Sequence, residues 1–164
     1  MKTKNLMSSP AVTVHPHDRL AHAAALMWQN DCGALPVVDK DGRVGAMVTD
    51  RDVCMAAWST GKPLHELRVQ DAMSKALVSV RADDDLGVAV DRMTMHQLHR
   101  LPVVDEHERP VGVLSLNDLG RRGDKDPQLG KRALQVMAAV CRLRNEAAPP
   151  AQRTMQAAAQ AVAT

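Results

Sequence analysis

Phe and Tyr are absent from this 164-residue chain, and Trp28 and Trp58 are its only tryptophans. That weighs against single-stranded nucleic acid as a ligand, because such sites stack bases on aromatic platforms. It also leaves the core to Val, Leu, Ala and ten Met. Cysteine is scarce. Cys32, Cys54 and Cys141 are odd in number and follow no metal spacing, so they read as free thiols of a reducing compartment. No Cys–His spacing marks a nucleophile, and no enzymatic activity is expected. His96-x-x-His99 sets two imidazoles one helical turn apart with no third ligand, so no metal is expected. No apolar run reaches membrane-spanning length, and Met1-Lys2-Thr3-Lys4 leads into no apolar leader segment. A soluble, cytoplasmic protein without a membrane partner is the expectation.

Charge is unevenly spread. Residues 1–120 carry a net −3 and residues 121–164 a net +5, within a total of +2. A basic tail can seek nucleic acid or an acidic partner, or form an ordinary solvated helix face.

What the chain does have, it has twice. LPVVDKDGRVGAMVTDRDV (35–53) returns as LPVVDEHERPVGVLSLNDL (101–119). A constant offset of 66 also relates Met7 to Met73, Val14 to Val80, Leu20 to Leu86, Met27 to Met93 and Asp52 to Asp118. An internal repeat decides the architecture before any single element does. One glycine slips: Gly45 lies four residues before Thr49, whereas Gly112 lies three before Ser115. Ala46 therefore stands opposite Gly112 and is expected to press a methyl toward any ligand of the first copy. A unit of about 60 residues buries little surface alone, so the copies should share a core.

Each copy reads as strand, helix, strand, strand, helix. In the first, residues 11–15 are a strand, Asp18 caps a helix through Met27, and Cys32-Gly33 ends it. Strands 35–39 and 44–48 flank an Asp-Gly turn, and Thr49 opens a helix that stops near Gly61-Lys62-Pro63. The second copy runs 77–81, 85–98, 101–105, 111–114 and 116–122, with a short helix around Val69–Met73 between copies. Asp126-Pro127 starts a further helix to about Asn145, broken at 147–150, before an Ala/Gln-rich end whose tethering is open. Positions 129, 133, 136, 137, 140 and 143 of that helix form an apolar stripe. Two complete repeats leave it no unfilled place, so it is expected to serve assembly between chains, with docking on its own module as the alternative.

Thr49-x-x-Asp52 and Ser115-x-x-Asp118 sit where an apolar strand gives way to a helix. Two roles are open. The hydroxyl and carboxylate can close a capping box. The same helix N-terminus can offer amides to a phosphate while the carboxylate accepts ribose hydroxyls. Asp, where Glu or Gln is the usual box partner, mildly favours the ligand role.

Two units with LPVVD, an apolar strand with Gly, then Thr/Ser-x-x-Asp, together resemble a tandem pair of CBS domains, a Bateman module. The resemblance covers about 115 residues, as units 5–62 and 63–122, and leaves 123–164 as a helical extension. It implies an α/β (α+β) fold, two βαββα units packed about a pseudo-two-fold axis, with regulatory clefts that take AMP, ADP or ATP and, less favoured, S-adenosylmethionine or NAD. It also implies pairing into a disc-shaped homodimer read by a protein partner. By the same resemblance Asp52 and Asp118 hold ribose, Thr49 and Ser115 lie by ribose and phosphate, and Thr13 and Ser79 meet the adenine. His99-Arg100 is similar to a His-Arg pair in the γ subunit of AMP-activated protein kinase that faces phosphates. The first copy has Gly33-Ala34 there, so the clefts should differ. A ligand-free scaffold for dimerisation, or a nucleic-acid-associated regulator using the basic tail, are the competing readings.

Overall fold

The computed structural model describes residues 1–142, and both repeats fold to one plan. The first unit runs α1 (Leu20–Gln29), β1 (Ala34–Val38), β2 (Val44–Thr49) and α2 (Asp50–Thr60). The second runs β3 (Val80–Arg81), α3 (Leu86–His96), β4 (Arg100–Val104), β5 (Pro110–Ser115) and α4 (Leu116–Gly123), and α5 (Pro127–Val140) follows. β1–β2 and β4–β5 are antiparallel hairpins, and β3 joins β4 in parallel across α3. The segment 143–164, with the break at 147–150 and the Ala/Gln-rich end, lies outside the described residues.

The leading strands are shorter than the pattern predicts. Residues 11–15 contribute one parallel bridge, Val14 to Val37, and of 77–81 only Val80–Arg81 pair. The shortfall falls at the start of each, residues 11–13 and 77–79, and the ends are closed by a carboxylate three residues on. Asp18 Oδ2 accepts the His15 N–H at 2.8 Å, and Asp84 Oδ2 accepts the Arg81 N–H at 3.0 Å, which ends each ladder. Asp18 is thereby not the cap of α1; Arg19 stands at that position with no side-chain cap.

Both hairpins carry a bulge at the same place. Val37 faces Ala46 and Val38 faces Val44, so Gly45 is the extra residue; Val103 faces Gly112 and Val104 faces Pro110, so Val111 is its counterpart. The glycine slip thus falls on a bulge that accepts either side chain. Ala46 points away from any ligand: it is 2% exposed, in the first core. Gly112 is required for another reason, because a Cβ there would lie 2.6 Å from Met7 Sδ and 2.7 Å from the Ser8 carbonyl.

That close approach exposes an exchange between the units. The chain before each unit completes the other. Ser8 bridges to Val113 on the edge of β5 with both N–H···O bonds at 3.0 Å, Thr3 is fully buried on Asp84, and Leu6 and Met7 pack on the second core. Reciprocally, Ser74 N donates to Met47 O at 2.8 Å, while Leu67 and, from the 3₁₀ turn Val69–Asp71, Val69 enter the first core. A third, small cluster of Val38, Val44 and Val104 joins the two sheets, and Val44 N donates to Glu108 O across the seam.

The C-terminal helix settles on its own module. Asp126 caps it through Gln128 N and Leu129 N, and Leu129, Ala133, Val136 and Ala139 are buried, the first three in one core with Val90, Met93 and Leu119 of α3 and α4. The place that the repeat pattern seemed to lack is the outer face of α3 and α4. Glycine makes it reachable: a Cβ on Gly123 would fall 2.8 Å from Gly130 Cα, so these backbones touch. Met137 and Leu134 of α5 remain exposed.

Candidate functional site

A cavity of about 820 Å³ opens between the two units. One wall is the β5–α4 junction with Ser115, Asn117, Asp118 and Arg121; the other is residues 8–12 and the α1–β1 turn at 30–34, with Ala133 and Met137 of α5 at the side. A second cavity of about 550 Å³ adjoins it, sharing Asp31, Gly33, Arg100 and Asn117 and reaching Trp28, Asp50 and Cys54.

The junction is built by capping. Ser115 stands at the N-cap of α4 in extended conformation, its hydroxyl accepting Asp118 N at 3.2 Å while Asp118 Oδ2 accepts the Ser115 N–H at 2.8 Å. Leu116 N donates to His99 O at 2.9 Å, which ties the helix start to the start of β4. Asp118 is only 4% exposed and is compensated on every side. Oδ2 also accepts the Ser115 hydroxyl at 2.5 Å, and Oδ1 accepts the Ser8 hydroxyl at 3.2 Å and the Arg121 guanidinium. Asp118 therefore caps the helix and also lines the cavity.

The first copy has the same box. Asp52 Oδ2 accepts the Thr49 N–H at 2.9 Å and the Thr49 hydroxyl at 2.7 Å. Its surroundings differ. One repeat from Arg121 stands Met55, and one repeat from Ser8 stands Ser74, whose hydroxyl accepts Met47 N at 3.0 Å instead of donating to the carboxylate.

Of the residues singled out from the sequence, Ser115, Asp118 and Arg100 converge on the larger cavity. Thr49, Asp52, Thr13, Ser79 and His99 line neither cavity. Thr13 lies beside Ala11 and Val12, which do line the larger one. The Ser79 carbonyl accepts the Arg92 guanidinium, and His99 is exposed. The Arg100 result crosses the repeat. Its guanidinium lies over Gly33, where a Cβ would be 2.5 Å from Asp50 Oδ2 and 2.8 Å from Arg100 Nη2, so the residue lacking a side chain in the first copy makes room for Asp50 and for the arginine of the second. Arg100 thus stands on the wall of both cavities. Sequence reasoning passed over Ser8, Asn117 and Arg121. For Arg121 a signal was present: it lies at i+3 from Asp118 on a helix, the spacing at which side chains meet. Ser8 comes into place only through the exchange between units. Among the described residues no group of three His, Cys, Asp or Glu could hold a metal ion, and no helix is long and apolar enough to cross a membrane.

The CBS domain family model matches residues 4–59 and again 69–122. The CBS domain-containing protein YhcV of Bacillus subtilis is 37% identical over 116 residues, covering 71% of this chain and 81% of that protein. Among solved structures, the CBS domain pair of protein MJ0100 in complex with 5′-methylthioadenosine and S-adenosyl-L-methionine superposes with a TM-score of 0.69 at 24% identity, over 77% of this chain and 98% of that one. CBSX2 in complex with AMP gives 0.64 at 22%, over 76% and 96%. With the repeat, the paired boxes and the exchanged segments, these matches make the chain a member of the CBS domain family, carrying two CBS domains in tandem.

Proposed function

We propose that the module is a non-catalytic sensor that binds an adenine nucleotide, AMP, ADP or ATP, in the cavity at Ser115 and Asp118. The observation that carries this is the Asp118 carboxylate at the N-terminus of α4, on the wall of an 820 Å³ inter-unit cavity that Arg100 and Arg121 also line. The volume lies in the range of small-molecule sites, about 300–1,000 Å³. The carboxylate suits a ribose diol, and the guanidinium groups suit phosphate oxygens. The AMP bound by CBSX2 and the S-adenosylmethionine bound by MJ0100 support an adenosine ligand; the two arginines favour a phosphorylated one over S-adenosylmethionine or NAD. Without Phe or Tyr, the base lies against aliphatic side chains such as Val12 and Val113.

The test is a thermal-shift panel of AMP, ADP, ATP, S-adenosylmethionine and NAD, repeated on Arg100→Ala. A ligand at a hundredfold excess over its Kd stabilises by about 2.7 kcal/mol, so at least one nucleotide should raise Tm. In the variant, ATP and ADP should lose more than AMP. No shift for any member at millimolar concentration would overturn the reading.

A second reading, a scaffold that pairs with a second copy, draws on the helices of the first unit. Trp28 is 89% exposed on α1, with Trp58 and Met55 exposed on α2. In the second unit the matching helices α3 and α4 are covered by α5. Light scattering on Trp28→Ser and Trp58→Ser would show a smaller species if these helices join two copies.

A further inference from the structure

Asp118 cannot take a ribose as it stands. A carboxylate offers about four lone-pair positions. Here Oδ2 carries the Ser115 N–H and hydroxyl, and Oδ1 carries the Ser8 hydroxyl and the Arg121 guanidinium. A diol can be accepted only if donors leave. Of the two from Ser115, the hydroxyl can turn its proton away, which frees one position on Oδ2, but the N–H is fixed by the capping box. The two on Oδ1 are not: the Ser8 bond is long at 3.2 Å, and Arg121 is a flexible side chain, 75% exposed, holding a carboxylate that is 4% exposed.

We propose that Arg121 is a specificity-determining latch, which covers the ribose seat on Asp118 and transfers to the phosphate of an incoming nucleotide, so that the cavity selects phosphorylated nucleosides over neutral ones. This rests on the nucleotide reading above and adds the residue that sets its selectivity. A neutral nucleoside must break the Arg121–Asp118 pair and leaves the guanidinium with water. A nucleotide breaks the same pair but presents phosphate oxygens in the cavity that Arg121 already lines, and a guanidinium meets these in bidentate fashion. Arg100, over Gly33, is placed to share that phosphate. The first copy has no latch, because Met55 stands at the matching position and the Ser74 hydroxyl is engaged by Met47. The two halves of the module are thereby differently poised, although their Thr/Ser-x-x-Asp motifs look alike.

Isothermal titration of adenosine and ATP into the full chain and into Arg121→Met decides the matter, with circular dichroism melts to confirm folding and Arg121→Gln as a second variant. Removing the latch should tighten adenosine about threefold or more and weaken ATP about tenfold, opposite signs from one substitution. A purely structural role would move both affinities the same way. If the unaltered chain binds ATP and the variants bind adenosine no more tightly than it does, the latch falls and the nucleotide reading stands. If neither the unaltered chain nor the folded variants bind either ligand, both fall together.

Discussion

At the scale of single residues, Asp118 is a capping group that also lines the cavity, and capping separates from the proposed ligand role by substitution. Asp118→Ala removes the box and both Oδ1 contacts, so it should lower stability by about 1–2 kcal/mol as a lost cap does. Asp118→Asn keeps a side-chain acceptor for the Ser115 amide while losing the charge. It should hold its melting transition and lose on the order of 1.5–3 kcal/mol of nucleotide affinity by titration calorimetry. Unchanged affinity in Asp118→Asn would confine the residue to capping. Three other carboxylates bear on the response to acid. The Arg43 N–H holds Asp39 below its ordinary 3.8, the Arg109 N–H does the same for Asp105, and the Lys4 ammonium does so for Asp83. A depressed carboxylate contributes stability that is present above the unfolded value and lost as pH falls through the folded one. The hairpin turns and the Lys4–Asp83 tether, at 2.6 Å, should therefore loosen only below about pH 3.8. Amide exchange at Thr3 N, which donates to Asp84 O, followed from pH 6 to about 2.5, checks this; loss of protection already near pH 5 would contradict it.

At the scale of elements, α5 is the informative one. Its apolar stripe was legible from spacing, but what the stripe faces was not, because period identifies a buried face without identifying its partner. The deciding contact is Gly123 against Gly130, two residues that pattern reading treats only as breakers. Gly123→Ala would force a methyl to within 2.8 Å of the Gly130 backbone, where no flexible side chain can give way. Overpacking of this kind costs about 1–3 kcal/mol and should appear as a lower Tm. Truncation after Gly123 should cost more, on the order of 3–6 kcal/mol, because Leu129 and Val136 leave the core together and uncover Val90 and Leu119. A truncated chain that melts at the original temperature would show that α5 is dispensable to its own module.

At the scale of the whole molecule, neither half closes its core without the segment that precedes the other. Leu67 makes the point, since it lies between the repeats yet is 5% exposed in the first core. Leu67→Ala should destabilise by about 2–5 kcal/mol, and hydrogen exchange should report the loss first in α1 and β1. A response confined to α3 and β4 would refute the exchange. The sequence alone determined the repeat, both hairpins and the place of each Thr/Ser-x-x-Asp pair at a strand-to-helix junction. These are local: periodicity, turn chemistry and an i, i+3 pair declare themselves within a few residues. Tertiary structure alone decided which carboxylate faces the large cavity, why Arg100 lies over Gly33, what covers α3 and α4, and that Ser8 and Arg121 both reach Oδ1 of Asp118. The physical reason is that each of these depends on where backbones approach across the seam between units. That distance is set by the packed cores and by missing side chains at Gly33, Gly112, Gly123 and Gly130, and no local pattern encodes it.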